Sequence, residues 1–176
     1  MTRREAFACL VALVLSPAAK ALEFSVFPAI NRPDLLMILA ITLGLFSSVW
    51  VSLPGGFIIG LLEDLITMRV PGARAVSLAV ASSVASSLKR FLNPETFFSR
   101  ILITALAAFL GDLTAYGLLN IAGANVGFGY FRTVVAYSTV WSVVAQIPVG
   151  FLVKKAVKIL LAIFPDDDDL DRRAWA

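Results

Sequence analysis

The sequence predicts an all-α, polytopic integral membrane protein. Of its 176 residues, 59% are hydrophobic and 15% are charged, whereas soluble domains have about 45–50% apolar and about 25% charged residues. A chain of this length cannot bury that apolar excess in a single core. The apolar residues also fall into six runs separated by short polar or glycine-rich segments, so we expect six transmembrane helices.

Composition also excludes several classes of site. The chain has no histidine, the commonest metal ligand and the usual general base. Its one cysteine, Cys9, cannot form an internal disulfide. In a membrane protein, the net charge of +3 reports topology rather than nucleic-acid binding. We therefore expect no metal, no cofactor and no nucleic-acid partner.

The first span, at about residues 5–27, has features of both a retained helix and a signal peptide. Arg3 and Arg4 precede its apolar run, and residues 19–21 have the A-x-A form of a signal-peptidase site. Because apolar character resumes after Glu23, we expect a retained helix kinked at Pro17, with cleavage as the alternative.

The second span is expected from Pro33-Asp34 to about Trp50, because proline suits the first turn of a helix and aspartate complements its positive end. The motif SLPGG at residues 52–56 predicts a tight turn, followed by a short third span. The later spans are expected at about residues 56–68, 75–88, 98–121 and 133–153. Residues 1–164 would form one six-helix transmembrane domain, and residues 165–176 an acidic cytoplasmic tail, expected to be disordered.

Charge distribution predicts the topology. Six spans place both ends on one side. With cytoplasmic ends, ten Lys and Arg residues lie inside and four outside, in accord with the positive-inside rule. The inside set is Arg3, Arg4, Lys89, Arg90, Arg100, Lys154, Lys155, Lys158, Arg172 and Arg173, and the outside set is Arg32, Arg69, Arg74 and Arg132. The patch of Lys154, Lys155 and Lys158 sets topology or, alternatively, contacts anionic lipid.

Two adjacent carboxylates, Glu63 and Asp64, interrupt the apolar third span. On a helix, Gly56, Gly60 and Asp64 share one face, and the glycines allow a neighbouring helix to approach closely. Asp64 is therefore expected to face protein. Ionisable residues inside spans are candidates for function. The alternative is a structural role, in which Asp64 accepts hydrogen bonds from serines.

The fourth and fifth spans offer partners for such a face. Ser82 and Ser86 lie at i and i+4 on a helix rich in small residues, which favours close packing and interhelical hydrogen bonds. Asp112 is a second intramembrane acid, on a stripe with Ala105, Ala108 and Ala115. Because adjacent residues diverge by about 100° on a helix and no catalytic motif is present, we expect no enzyme.

Several of these motifs resemble the rod shape-determining protein MreD family. They are Pro33-Asp34-Leu35-Leu36, the G-F-x-x-G-L-L-E-D-L block that begins at Gly56, and the Pro71-Gly72 turn. The resemblance covers about residues 30–90. The fifth span departs from the family, because Gly111-Asp112 stands where a His–Glu pair is common.

The resemblance implies a non-catalytic scaffold in the bacterial inner membrane. Its partners would be MreC, the MreB cytoskeleton, RodA with its transpeptidase partner, and the lipid bilayer. The family also looks similar in fold to the substrate-binding subunits of energy-coupling-factor vitamin transporters. The alternative function is therefore such a subunit, with an outward-facing pocket near Asp64, Arg69, Arg74 and Asn125.

Overall fold

A computed structural model describes residues 3–26, 34–67, 72–92 and 96–123, together with individual residues between 127 and 155. All regular structure in this part of the chain is helical, which confirms the all-α prediction. The helices are α1 (Arg3–Val26), α2 (Leu35–Phe46), α3 (Val49–Thr67), α4 (Ala73–Leu88) and α5 (Phe97–Ile121). Helical residues continue between 129 and 155. The expected acidic tail, Lys154 and Lys158 lie outside the described residues, and Lys155 is exposed.

Two described helices, Val49–Thr67 and Phe98–Ile121, are long and apolar enough to cross a membrane. Helices α2 and α4 are shorter, with 12 and 16 residues. At about 1.5 Å per residue, neither matches a hydrocarbon core of about 30 Å. The count of six spans and the likeness to transporter subunits stay predictions.

Helix α2 forms the centre of the bundle. Asp34 caps its amino end by accepting a hydrogen bond of 2.9 Å from the Met37 amide. Residues 36–44 are all buried, and the helix contacts α1, α3, α4 and α5. Enclosure by protein explains how so short a helix can be apolar at every position except Thr42, since its neighbours provide the apolar surroundings that lipid would otherwise supply.

The predicted turn at residues 52–56 is wrong, because α3 continues through Pro54. The chain instead turns at Ser47, whose backbone is extended. The two glycines after Pro54 serve close packing: a Cβ on Gly55 would lie 2.6 Å from Leu43 Cδ2, and one on Gly56 would lie 2.6 Å from Leu78 O. The third helix therefore has 19 residues, or about 28 Å, rather than the short span expected.

Helix α3 carries its polar and small residues inside and its large apolar residues outside. Its buried face includes Ser52, Gly56, Gly60, Glu63 and Asp64. Its exposed face, the α3 stripe, consists of Trp50, Leu53, Phe57, Leu61 and Leu65. Helix α5 has a similar α5 stripe of Phe98, Leu102, Leu106, Phe109 and Leu113. Apolar surfaces of this extent are typical of contact with lipid or with other proteins.

Interhelical contacts define the two ends of the bundle. At the first, here called the Asp64 end, the end of α3 meets the start of α4 through Glu63 and Arg74. At the second, the Lys89 end, the end of α4 meets the end of α2 through Lys89 and Ser47. Helix α5 runs antiparallel to α4, since only eight residues connect them and Ser77 near the start of α4 donates to Gly111 O in the second half of α5. The start of α5 thus lies at the Lys89 end.

Candidate functional site

Four charged side chains form an ion cluster at the Asp64 end, in which Lys20 and Glu63 are buried and Arg74 and Asp34 are partly buried. Lys20 Nζ lies 2.8 Å from Glu63 Oε1, and Arg74 Nε lies 3.1 Å from Glu63 Oε2. Arg74 also pairs with Asp34 through its Nη2. The Lys20 and Glu63 side chains are only 8% and 5% exposed. Glu63 can therefore occupy an apolar segment because two cations from neighbouring helices face its two oxygens.

The ion cluster ties together four helices. Lys20 belongs to α1, Glu63 to α3 and Arg74 to α4, while Asp34 caps α2. Arg74 is the branching point, since its guanidinium is a planar fork that can bind two carboxylates at once. Removing either Glu63 or Arg74 would therefore weaken more than one helix contact.

Asp64 and Glu63 bind different partners, because adjacent side chains on a helix point in different directions. It accepts hydrogen bonds from the backbone amides of Gly72 (2.9 Å), Ala75 (3.2 Å) and Arg74 (3.4 Å). Helix α4 has Gly72 at its N-cap, with φ of 90° and no capping side chain. Asp64 supplies the missing cap from another helix, and its charge complements the positive end of α4.

Two glycines make that capping possible. A Cβ on Gly60 would lie 2.5 Å from Ala75 Cα and 2.7 Å from Ala75 N, so the backbones of α3 and α4 are in direct contact there. Gly56 makes the corresponding approach one turn earlier, against Leu78. Close approach at Gly60 brings the first amides of α4 within reach of Asp64, which lies one turn further along α3.

The predicted serines also lie between helices, but they bind carbonyl groups rather than Asp64. Ser82 Oγ donates to Ser52 O and Ser86 Oγ donates to Ser47 O, each at 2.8 Å. In the described residues, Asp64 accepts only the three backbone bonds given above. The predicted serine partners are therefore wrong, although Asp64 does have the structural role of joining α3 to α4. The serines instead form hydrogen bonds that join α4 to the start of α3 and to the end of α2.

Lys89 adds hydrogen bonds between the end of α4 and the end of α2. Its ammonium donates to Ser47 O and, at 3.4 Å, to Leu45 O. Burial lowers the pKa of Lys89, and the charge of nearby Glu5 opposes that shift. Glu5 itself accepts a hydrogen bond of 2.8 Å from the Ser48 amide, next to the start of α3. Each end of the bundle thus has charged side chains on helix termini.

Asp112 is buried on α5, a helix that contributes none of the four members of the ion cluster. Its neighbour Gly111 lies against α2, since a Cβ there would be 2.9 Å from Met37 Cε. Asp112 therefore lies in the protein interior, on a separate helix from Asp64.

Sequence reasoning missed Lys20 and Arg74 as partners of Glu63, and Asp34 as the second carboxylate bound by Arg74. The available signal was Lys20 itself, because a lysine within an apolar run requires a carboxylate or a route to water. In the described residues, no group of three or more His, Cys, Asp or Glu side chains could hold a metal ion. The oxygens of Glu63 and Asp64 already accept bonds from neighbouring helices, so the arrangement joins helices and offers no available base.

Comparison with known proteins identifies the family. The family model for rod shape-determining protein MreD matches residues 3–156, which include all five helices. No curated protein and no solved structure matches the chain. The matched region contains the G-x-x-x-G-x-x-x-D face, the ion cluster and the capped start of α4. The chain therefore belongs to the rod shape-determining protein MreD family.

Proposed function

We propose that this chain is a non-catalytic scaffold of the cell-wall elongation machinery. It binds MreC and helps to couple the MreB cytoskeleton to peptidoglycan synthesis by RodA and its transpeptidase partner. Membership of the MreD family supports a role in determining rod shape. The observation that carries the non-catalytic part is the use of Glu63 and Asp64: both bind other helices of the same bundle.

The exposed surface supports a scaffold in the membrane. Helices α3 and α5 present the α3 and α5 stripes outward, while their small and polar residues lie inside. A protein of this kind offers partners an apolar side surface, on which single transmembrane helices can pack. Its rigidity comes from the buried contacts, because they fix the positions of α1, α2, α3 and α4 relative to one another.

Co-purification from cells that lack the native protein tests the scaffold. The wild-type chain, tagged and solubilised in mild detergent, is expected to retain MreC and to restore rod shape. Glu63→Gln is expected to reduce both, because the ion cluster holds four helices. Gly117→Ala serves as the control, since a Cβ at Gly117 meets no atom of the described residues within 4 Å. Rod shape and MreC recovery that are unaffected by Glu63→Gln would contradict the scaffold.

We further propose a multi-pass protein of the bacterial inner membrane with both termini in the cytoplasm. Two variants with a single cysteine, each made in a Cys9→Ser background, test this orientation. Thr96→Cys places a thiol at the Lys89 end, and Gly123→Cys places one beyond the opposite end of α5. An impermeant thiol reagent applied to spheroplasts should label the cysteine at 123 and spare the one at 96. The reverse pattern would show the opposite orientation.

The structure gives less support to a vitamin-binding transporter subunit. Two of the polar groups expected to line its pocket are engaged: Arg74 pairs with Asp34 and Glu63, and Asp64 caps α4. Arg69 and Asn125 lie outside the described residues. Mass spectrometry of the purified chain separates the two functions, since a transporter subunit would retain a stoichiometric vitamin.

A further inference from the structure

Polar contacts between helices lie at two levels, one at each end of the bundle. The first level is the ion cluster at the Asp64 end. The second level, here called the Glu5 group, lies at the Lys89 end: Glu5 accepts from the Ser48 amide, and Lys89 donates to Ser47 O. Helices α1, α3 and α4 each connect the two levels, since each has a polar residue in or beside both of them.

The distance between the two levels is the same along all three helices. In each helix, fifteen residues separate the polar residue at one level from that at the other: Glu5 and Lys20 in α1, Ser48 and Glu63 in α3, and Arg74 and Lys89 in α4. At about 1.5 Å per residue, fifteen helical residues rise about 22 Å, whereas a typical hydrocarbon core is about 30 Å thick. Any tilt of the helices brings the levels closer together across the membrane.

The exposed apolar surface between these levels is equally short. On α3 it extends from Trp50, which is 88% exposed, to Ile66, a rise of about 24 Å at about 1.5 Å per residue. On α1 the exposed residues Leu10 and Val14 lie between Glu5 and Lys20. Helices α1 and α3 are in contact, so their exposed residues form one side of the bundle, here called the short face. Tryptophan prefers the level of the lipid headgroups, so Trp50 marks one edge of this face.

Helix α5 shows that the opposite side of the bundle is longer. Its exposed apolar residues extend from Phe98 to Ile121, a rise of about 34 Å at about 1.5 Å per residue. Because Ser77, one turn after Arg74, donates to Gly111 O, the ten residues of α5 after Gly111 continue past the ion cluster. Helix α4 contacts both α3 and α5 and separates the two sides. A surface too short for the hydrocarbon core is therefore limited to α1 and α3.

We propose, on the basis of the multi-pass arrangement proposed above, that the short face thins the bilayer beside it. A hydrophobic surface shorter than the hydrocarbon core is accommodated by thinning of the lipid, here by about 6–8 Å. Thinning keeps both polar levels close to the headgroups, whereas charged groups within the hydrocarbon are costly. Because thinned lipid raises the free energy of the membrane, the short face favours neighbouring membrane proteins whose hydrophobic length is equally short.

Spin labels measure the thickness of the bilayer on both sides of the bundle. Trp50→Cys and Ile66→Cys report on α3, while Phe98→Cys and Ile121→Cys on α5 are the matched controls, because all four positions are exposed. Each is made in a Cys9→Ser background of the full chain and reconstituted in dioleoyl-phosphatidylcholine. Accessibility of the nitroxide to oxygen and to a nickel chelate gives its depth.

Both labels on α3 should lie at the headgroup level, as the labels on α5 do. Two positions about 24 Å apart along a helix cannot both reach the headgroups of a bilayer that keeps its full thickness. A label on α3 that lies several ångströms inside the hydrocarbon would therefore overturn the thinning. A label on α3 shielded from both reagents would overturn it as well, since protein rather than lipid would then cover the short face.

Thermal unfolding in bilayers of different thickness is a second measurement and needs no variant. The Tm of the wild-type chain should be highest in dimyristoleoyl-phosphatidylcholine and lower by about 4–8 °C in the much thicker dierucoyl-phosphatidylcholine. A Tm that rises with thickness would refute the proposal. Extraction with alkaline carbonate separates this inference from the proposed topology. Release of the chain from the vesicles would contradict both, whereas a retained chain with a constant Tm would overturn the thinning alone.

Discussion

The contact between α3 and α4 at Gly60 gives the sharpest test of the packing described above. In Gly60→Ala, the added Cβ would lie 2.5 Å from Ala75 Cα and 2.6 Å from Arg74 O. Both atoms belong to the backbone, so no side chain can rotate away and the two helices must separate. Separation would also lengthen the hydrogen bonds from the first amides of α4 to Asp64.

The expected change in the free energy of unfolding follows from one favourable and two unfavourable terms. Alanine is favoured over glycine inside a helix by about 0.5–1 kcal/mol, whereas overpacking of a tight contact costs about 1–3 kcal/mol. Weakening two hydrogen bonds to a carboxylate adds roughly 1 kcal/mol or more. We therefore expect Gly60→Ala to lower the free energy of unfolding by about 1–3 kcal/mol. For a chain of this size that corresponds to a Tm lower by about 2–12 °C.

Comparison with Gly117→Ala separates the cost of the lost α3–α4 contact from the gain in helix propensity that alanine brings. Gly117 also lies inside a helix, but a Cβ there meets nothing within 4 Å in the part of the chain that the structure describes, so this variant should gain the propensity term alone. Thermal unfolding of both variants in the same detergent gives the comparison, and hydrogen exchange at the Gly72 and Ala75 amides gives a local readout. Equal Tm values for the two variants, with unchanged exchange at α4, would refute close backbone contact at Gly60.

Three other contacts lead to predicted changes in stability that can be measured in the same way. Asp64→Asn keeps an acceptor but removes the charge at the start of α4, so it should cost about 1 kcal/mol; exchange of the α4 amides reports it, and unchanged exchange would count against the cap. Glu63→Gln removes the counter-charge of two cations and should cost about 3–5 kcal/mol. A double-mutant cycle with Lys20→Met should then show coupling, whereas strict additivity of the two losses would mean no ion pair. Ser86→Ala should cost about 0.5–1.5 kcal/mol through the lost bond to α2, and Ser83→Ala, whose hydroxyl bonds within its own helix, should be near neutral in the same unfolding assay.

Local rules located several elements well. The bounds of α1, α4 and α5 agree with the expected spans within about two residues, because long apolar runs with flanking polar residues are a strong signal. The turn at residues 52–56 failed for a physical reason. Proline and glycine predict turns from their backbone preferences, but here glycine removes side-chain volume where α3 meets Leu43 and Leu78. That use depends on neighbours distant in sequence.

The ion cluster also shows which features could be predicted from the sequence and which could not. The sequence indicated that Asp64 must face protein and that Glu63 must diverge from it, since a helix separates adjacent side chains by about 100°. It could not show that Lys20, 43 residues away, faces Glu63, nor that Asp64 caps α4. Pairing across helices depends on their rotation and their relative height, and neither is encoded in local periodicity.

The sequence by itself determined the helical class, the membrane setting, the family and the inward face of α3, because each follows from composition or from spacing along one helix. Only the tertiary structure decided which cation neutralises Glu63, that α2 is enclosed by its neighbours and that serines bind carbonyl groups. Hydrophobic patterning specifies which face of a helix is buried, but it carries no information on what lies opposite. Partner identity is fixed when the helices pack at contact distance, where a single Cβ or a single unpaired charge distinguishes one arrangement from another.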